Sequence, residues 1–375
     1  EFHERSMART VSPEAYDVYT RGLDALARRD LDGAVGLFEN AIRLDDGLAE
    51  AYAGLAEALF LRADRRNGLD DPDQARVKQM AARAAMIEPD LAIVEVAQGL
   101  AAGSYQESLK HFARAAARDP SSAEAFHQLG DHLVHVDTSR AIRMYERARA
   151  LDPRMAANYG DLLFARSISG DREGAAGEVE ALRKVFPDTP RLLILPNWLA
   201  PPGDTQAIAR LKELAARNQL PPVAMVSLAQ RQATAGLMSD ALASVDAVLA
   251  GTPNLCEAKA LRVGLLKALK RGAEMRAQGA WSPGSPARCA ALAAAAVANP
   301  SAAAAELQRV ATDEFSLRSW IEVRVGSTGE SALDSGIWPW GQIARAPEVS
   351  AAHASIRAAI DRLRKIADAE LKGLP

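Results

Sequence analysis

The chain of 375 residues contains only two cysteines, 5% aromatic residues and no long apolar run. Cys256 and Cys289 share no short spacing and cannot form a four-ligand metal knuckle, so they are either free thiols or one optional disulfide and leave the compartment open. The most apolar stretch, 287–297, is mostly alanine and contains Arg288, whereas a membrane-spanning helix needs ~20 apolar residues. The sequence therefore predicts no membrane span.

An excess of charge of one sign is also missing. The 45 basic and 48 acidic residues give a formal net charge of -3, so the chain has no general attraction to nucleic acid or to an anionic membrane. Apolar residues make up 49% and charged residues 25%, which excludes a disordered or collagen-like chain and predicts a buried core. At ~150 residues per domain, the length allows two or three domains or one repeat array.

The first residues carry no apolar segment of the kind found in a secretory signal. Residues 1–7 are polar and are consistent with a vector remnant ahead of Met7, so residues 1–12 are predicted to be a flexible tail. We expect a cytoplasmic location, and a periplasmic one stays open if the chain is a fragment.

Prolines and small residues recur through the first two-thirds of the chain. Pro89, Pro120, Pro153, Pro187 and Pro253 are separated by 31, 33, 34 and 66 residues, and the last interval is about two periods. A small residue begins each clear second helix, at Ala34, Ala141, Ala175 and Ala241. Because proline ends helices and small residues allow close approach, this period predicts stacked helical pairs.

Two segments carry the pattern most clearly. One holds Gly22, Ala34, Phe38 and Ala41 within 15–45, and the other runs from Tyr159 through Gly170-Asp171 and Ala175 to Pro187. This order of residues resembles the tetratricopeptide repeat, over about two-thirds of the chain. The resemblance implies an all-α fold, a right-handed α-α superhelix of about seven or eight helical pairs with a C-terminal capping helix. We expect small residues at close approaches and large ones in the gaps between pairs, at Gly22, Gly130, Ala34, Ala175, Phe38, Phe126, Tyr145 and Tyr159.

By this resemblance the repeats are 15–48, 49–90, 91–121, 122–154, 156–189, 190–221 and 222–255. Repeat two carries extra residues at 64–73, and its second helix is expected to run from Pro72 to Ile87. Repeat six contains Pro196, where we expect a kink. The domain boundaries are 1–12 for the tail, 13–253 for the solenoid, 254–346 for divergent helical repeats with a long loop, and 347–375 for the capping helix.

Beyond residue 253 the pattern weakens. Helices are predicted at 255–270, in the alanine-rich stretch that ends at Asn299, at 301–311 and at 315–324. A loop is predicted at 278–286. Residues 325–346 lack a helical period and contain Trp338 and Trp340, which we interpret as packing over the last helices in preference to an exposed partner anchor. Residues 347–372 have the spacing of an amphipathic helix and are predicted to cap the array.

In the tetratricopeptide family the first helix of each repeat lines the concave surface. Matching those positions implies a partner-binding groove of Tyr16, Tyr19, Leu23, Glu50, Ala53, Glu57, His127, Gln128, Asp131, Asp161, Phe164, Ser227 and Gln230. The cationic clamp with which some members hold a peptide carboxylate is missing here, since the sixth positions carry residues such as Thr20 and Gly54. This partly acidic groove favours a basic or apolar segment.

Three parts of the sequence carry residue types found at metal, phosphate or hydrolase sites. His127, Asp131 and His135 are spaced by four residues, which predicts one helical face, but a zinc site lacks further ligands and we prefer a polar stripe in the groove. Residues 325–331 lack the lysine and the preceding strand of a phosphate loop. A hydrolase site within 325–346 would have only Glu330, Asp334 and serines. No catalytic residue, metal or cofactor is therefore predicted.

The sequence thus predicts a non-enzymatic scaffold that binds a peptide or protein segment in its groove, without nucleic acid. Residues 13–22 and 338–347 are similar to parts of the repeat regions of bacterial signalling and transcriptional regulators, which implies the sensor or scaffold part of such a system. The alternative is a cell-envelope assembly or secretion factor whose groove receives a substrate protein. Self-association is left open.

Overall fold

The computed structural model describes residues 12–28, 30–66, 73–189, 191–201, 203–253, 255–277, 287–312, 339, 343 and 345–374. Within these ranges the chain forms nineteen helices and no strand. Among the described helices, none combines the length and the apolar composition that crossing a membrane requires.

Each of the seven predicted repeats holds two helices. They are α1 (Pro13–Ala27) and α2 (Leu31–Leu44), α3 (Ala49–Arg66) and α4 (Asp73–Ile87), α5 (Ala92–Ala101) and α6 (Tyr105–Arg118), α7 (Ala123–Leu133) and α8 (Thr138–Leu151), α9 (Ala156–Ile168) and α10 (Arg172–Val185), α11 (Arg191–Trp198) and α12 (Thr205–Ala216), and α13 (Pro222–Thr234) and α14 (Met238–Gly251). Within the described residues, the predicted all-α array of helical pairs followed by a C-terminal helix is confirmed.

Five further helices follow: α15 (Cys256–Ala268), α16 (Gly272–Ala277), α17 (Ala287–Ala296), α18 (Pro300–Thr312) and α19 (Pro347–Glu370). The short helix α16 was not expected from the sequence. The helix predicted at 255–270 ends at Ala268 because Lys270 adopts a left-handed φ of 59°, and helical geometry resumes at Gly272. The predicted helix at 315–324, the loop at 278–286 and the two tryptophans Trp338 and Trp340 lie outside the described residues.

The chain divides into two compact bodies. The N-terminal body draws on Glu1–His132, Arg143–Ala156 and Ile366–Pro375, and the C-terminal body on Leu133–Ile142 and Ala157–Lys365. The core of the N-terminal body contains the buried Phe38, Leu55 and Leu59. In the C-terminal body, Leu195 of the short helix α11 packs with Tyr159 and Leu182 of repeat five, so the helix that contains Pro196 still contributes to the core.

An aromatic ring fills the space beside a glycine in several repeats of the N-terminal body. A Cβ on Gly22 would lie 2.6 Å from Phe38 Cε1, and a Cβ on Gly54 of the next repeat would lie 2.8 Å from the same atom. Gly99 faces Phe112 in the same way, at 2.4 Å. In repeat four, Gly130 faces Tyr145 at 2.5 Å. Glycine is therefore the residue that lets helix pairs close on a large ring.

Aspartate begins the second helix of several repeats. Asp30 accepts a hydrogen bond from the Gly33 backbone N–H at 3.1 Å, and Asp171 accepts one from the Gly174 N–H at 2.9 Å. The Asp204 side chain begins α12 in the same way. Each carboxylate satisfies an N–H that the first helical turn leaves without an intrahelical partner, so each aspartate acts as an N-cap.

An ion pair joins the ends of the insertion in repeat two. Arg62 near the end of α3 donates to Asp73 at the start of α4, with Nε 2.7 Å from Oδ2, and a second guanidinium nitrogen lies 2.9 Å from Asp32 Oδ1. The hydrogen bond with Asp73 and the two carboxylate charges hold the pKa of Arg62 above its ordinary value, although burial acts in the opposite direction. The observed helix α4 begins at Asp73, one residue after the predicted Pro72.

The last helix, α19, contacts more than its sequence neighbours. In the C-terminal body, Ser301 Oγ of α18 lies 3.2 Å from Glu348 Oε1, and Arg364 Nε donates to the Val136 carbonyl at 2.9 Å. In the N-terminal body, Gln106 Nε2 of α6 donates to Glu370 Oε1 at 2.7 Å. The helix therefore reaches α18 and also the turn that follows α7.

Gly99→Ala is expected to lower the free energy of unfolding by about 1–2 kcal/mol, because the added methyl would overlap the fully buried Phe112 and overpacking outweighs the gain in helix propensity. Gly36→Ala in α2 is the control, since a Cβ there meets nothing within 4 Å and should stabilise by up to ~1 kcal/mol. Urea unfolding of both variants measures the difference. Equal stabilisation by the two substitutions would contradict the close approach.

Asp171→Ala is expected to destabilise by ~1 kcal/mol, whereas Asp171→Asn, which keeps an acceptor for the N–H of Gly174, should cost less. The Gly174 N–H and Arg166 lower the pKa of Asp171 in the folded state, so its ionic contribution is complete at neutral pH and disappears as the pH falls through that lowered pKa. Thermal unfolding from neutral to acid pH should therefore show the wild type converging on Asp171→Asn. A constant difference would exclude this linkage.

Candidate binding groove

The predicted groove residues lie on the first helices of five repeats. Tyr16, Tyr19 and Leu23 are on α1, Glu50, Ala53 and Glu57 on α3, and His127, Gln128 and Asp131 on α7, all in the N-terminal body. Phe164 on α9, with Asp161, and Gln230 on α13, with Ser227, belong to the C-terminal body.

Tyr16 and Tyr19 form an aromatic pair on α1. Their ring centroids are 5.6 Å apart at an interplanar angle of 49°, and the Tyr19 ring lies 5.9 Å from Phe38 on its other side. Tyr16 is 49% exposed, while Tyr19 is only 5% exposed. Leu23 is partly buried against the core, so Tyr16 is the member of this set that offers the largest surface to a ligand.

Two carboxylates of α3 influence Tyr19. Burial raises the pKa of the Tyr19 phenol above its ordinary range, and the charge of Glu50, the neighbouring Tyr16 and the charge of Glu57 raise it further. The phenol therefore keeps its proton at neutral pH and acts as a neutral hydrogen-bonding group. Glu50 is partly buried, Ala53 is buried and Glu57 is 9% exposed, so Glu50 is the most accessible of these three α3 residues.

A second polar set occupies α7. The Tyr145 hydroxyl donates to Asp131 Oδ1 at 2.7 Å, and His127 Nε2 lies 3.9 Å from the same oxygen. The rings of His127 and Tyr145 have centroids 5.7 Å apart. Gln128 is buried and donates from Nε2 to Glu124 Oε1 at 2.8 Å. The Asp131 side chain, 39% exposed, is the part of this set most open to solvent.

The prediction that His127, Asp131 and His135 share one helical face is wrong for His135. Helix α7 ends at Leu133, so His135 lies in the following turn. Its ring packs edge-on against Phe164 in the C-terminal body, with centroids 5.7 Å apart at 75°. Phe164 is partly buried by this contact. Gln230 is also partly buried, and its backbone carbonyl accepts a hydrogen bond from Thr234 Oγ1 at 2.8 Å.

Sequence reasoning missed a charged cluster in repeat three. Glu95, whose side chain is 8% exposed, lies 2.6 Å from His111 Nδ1 and 3.2 Å from Arg118 Nη1. A shallow cavity of about 330 Å³ borders His111 and is lined by Lys78, Gln98, Ala101, Ala102 and Glu107 as well. Glu95 and His111 face each other across two antiparallel helices, so no short spacing in the sequence could have indicated the pair.

No protein-family model and no curated protein matches the chain. Among solved structures, it is similar to YrrB, a TPR protein with an unusual peptide-binding site, at 17% identity over 46% of this chain and 87% of that one, with a TM-score of 0.29. It is similar to PilW, a widely conserved type IV pilus biogenesis factor, at 18% identity over 56% and 96%, with a TM-score of 0.40. TTC0263, a thermophilic TPR protein in Thermus thermophilus, is 18% identical over 48% and 94%, with a TM-score of 0.37.

Glu95→Gln is expected to lower the free energy of unfolding by about 1–3 kcal/mol, since it removes a largely buried charge that His111 and Arg118 contact. Glu39→Gln is the matched control, because Glu39 pairs with Arg76 at an exposed site where an ion pair contributes less than ~1 kcal/mol. Chemical unfolding compares the two variants. Equal losses would show that burial of the Glu95 carboxylate has no energetic role.

Proposed function

We propose that this chain is a non-enzymatic scaffold that binds a peptide or protein segment along the first helices of its repeats. The observation that carries the proposal is the surface of α1 and α3, where the exposed ring of Tyr16 lies beside Tyr19 and the α3 carboxylates act on Tyr19. Large aromatic side chains with a polar tip are enriched at protein interfaces, and a repeat array offers such side chains in a row.

The packing of aromatic rings from the second helices against the first helices supports the proposed binding surface. Phe38 contacts Gly22 and Gly54 and also faces Tyr19, so the ring of the second helix fixes the spacing of the two first helices. In repeat four, Tyr145 faces Gly130 and orients Asp131 by a hydrogen bond. Side chains that are held in place before binding lose less conformational entropy when a partner arrives.

We further propose a biological role for this scaffold: it is the sensor or scaffold part of a bacterial regulatory system. It rests on the similarity of residues 13–22 and 338–347 to the repeat regions of such regulators. A cytoplasmic location accompanies this proposal. Genes beside the coding sequence, or a longer reading frame that encodes a winged-helix or cyclase domain, would support it.

One observation favours the alternative of a cell-envelope assembly or secretion factor. Cys256, the first residue of α15, is disulfide-bonded, and the sequence has one other cysteine, Cys289. Stable disulfides are typical of oxidising compartments such as the bacterial periplasm. Thiol titration of the unfolded protein isolated from its native cells separates the two proposals: no free thiol favours the envelope, and two free thiols favour the regulatory role.

Photo-crosslinking tests the groove directly. A benzoylphenylalanine at Tyr16 is expected to crosslink a protein partner in native cells, whereas the same residue at Met86, which is 76% exposed at the end of α4, should not. Tyr19, Glu57 and His127 are left unchanged because they are buried and their replacement would disturb folding. Partner adducts only at position 86, or at both positions alike, would contradict binding along the first helices.

A further inference from the structure

Two tyrosines and two glutamates lie on neighbouring helices, the first helices of repeats one and two. Tyr16 and Tyr19 are one turn apart on α1, and Glu50 and Glu57 are two turns apart on α3. The two helices contact each other, and the charges of both glutamates help to raise the pKa of Tyr19. These four residues are called the Tyr–Glu cluster below. The arrangement brings an exposed ring and negative charge to one face.

Three arginines in or beside α1, α3 and α4 are paired with carboxylates outside the Tyr–Glu cluster. Arg28 pairs with Asp24, Arg62 with Asp73 and Asp32, and Arg76 with Glu39. Within the described part of the chain, no basic side chain lies within ion-pair distance of Glu50. The carboxylate of Glu50 is thus available to a cation supplied by a partner.

The chemistry of the Tyr–Glu cluster selects a planar cation. A tyrosine ring attracts a cation over its face, and a carboxylate accepts two parallel hydrogen bonds from a guanidinium group. An ammonium group is a compact charge that cannot combine stacking with bidentate pairing to the same degree. An acidic or phosphorylated segment would be repelled by Glu50. Arginine therefore complements this surface in both charge and shape.

We propose that the Tyr–Glu cluster binds an arginine side chain of the partner segment, with the guanidinium stacked on Tyr16 and paired with Glu50. This inference rests on the proposed function and narrows its ligand to a segment that carries arginine. The Tyr19 ring packs beside the exposed Tyr16 ring. Because the Tyr19 hydroxyl is neutral, the guanidinium forms its ion pair with Glu50.

The test uses the full chain and a random dodecamer library displayed on phage as the probe. Selected peptides are expected to share an arginine, which should be absent from those selected on a Tyr16→Leu, Glu50→Gln variant. The best peptide is then labelled with fluorescein, and its affinity is measured by anisotropy beside a version with citrulline, which keeps the shape of arginine without its charge. We expect citrulline to weaken binding by ~10-fold or more.

A double-mutant cycle assigns the loss to the Tyr–Glu cluster. Glu50→Gln should weaken binding of the arginine peptide but leave the citrulline peptide unchanged, and Glu39→Gln, the same change at another exposed carboxylate, should affect neither. Melting temperatures of the variants should match the wild type, since Tyr16 is exposed and Glu50 only partly buried. Added salt should weaken only the arginine peptide.

The outcomes distinguish the proposed arginine subsite from the proposed peptide-binding groove. If the wild-type chain retains no peptide at all, both the inference and the proposed peptide-binding groove are overturned. If peptides bind and compete for crosslinking at position 16 but carry no shared arginine, or bind equally well with citrulline, the groove stands and the arginine subsite is overturned.

Discussion

The contact between a large ring and a helical glycine sets the spacing of the helical pairs in the N-terminal body. Phe38 reaches Gly22 in its own repeat and Gly54 in the next, so a single side chain fixes the distance between three helices. Phe112 and Tyr145 act in the same way in repeats three and four. Because interiors are close-packed, these rings leave no space for a methyl group, and the position of each first helix follows from the ring beneath it.

The same rings determine which of the predicted groove residues are exposed. Phe38 lies under Tyr19 and helps to bury it, so the exposed Tyr16 remains as the aromatic contact. Tyr145 hydrogen-bonds Asp131, so the carboxylate on the surface of repeat four is oriented by a buried residue. Recognition would thus depend on a few exposed side chains whose positions are set by the core, in agreement with the uneven distribution of binding energy across interfaces.

The fold was predictable from particular residues, and much of the site was not. Gly22 and Gly130 were expected at close approaches and Phe38 and Tyr145 in the gaps between pairs. The structure places each glycine against one of these rings, because a repeated spacing carries this information through the sequence. The phase of the repeat identifies a position on a helix but not its exposure, so the burial of Tyr19, Glu57 and His127 could not be foreseen. The Glu95–His111 pair and the contacts of α19 depend on tertiary packing, for which no local pattern exists.

The ion pair between Arg62 and Asp73 has a consequence for how the protein could vary. It ties the C-terminal part of α3 to the first residue of α4, so a direct contact between the two helices fixes their register. The entropy of closing a loop grows only slowly with its length. Helices α3 and α4 are thus expected to keep this register when the number of residues between them changes, which would let evolution or an engineer vary the chain at this point.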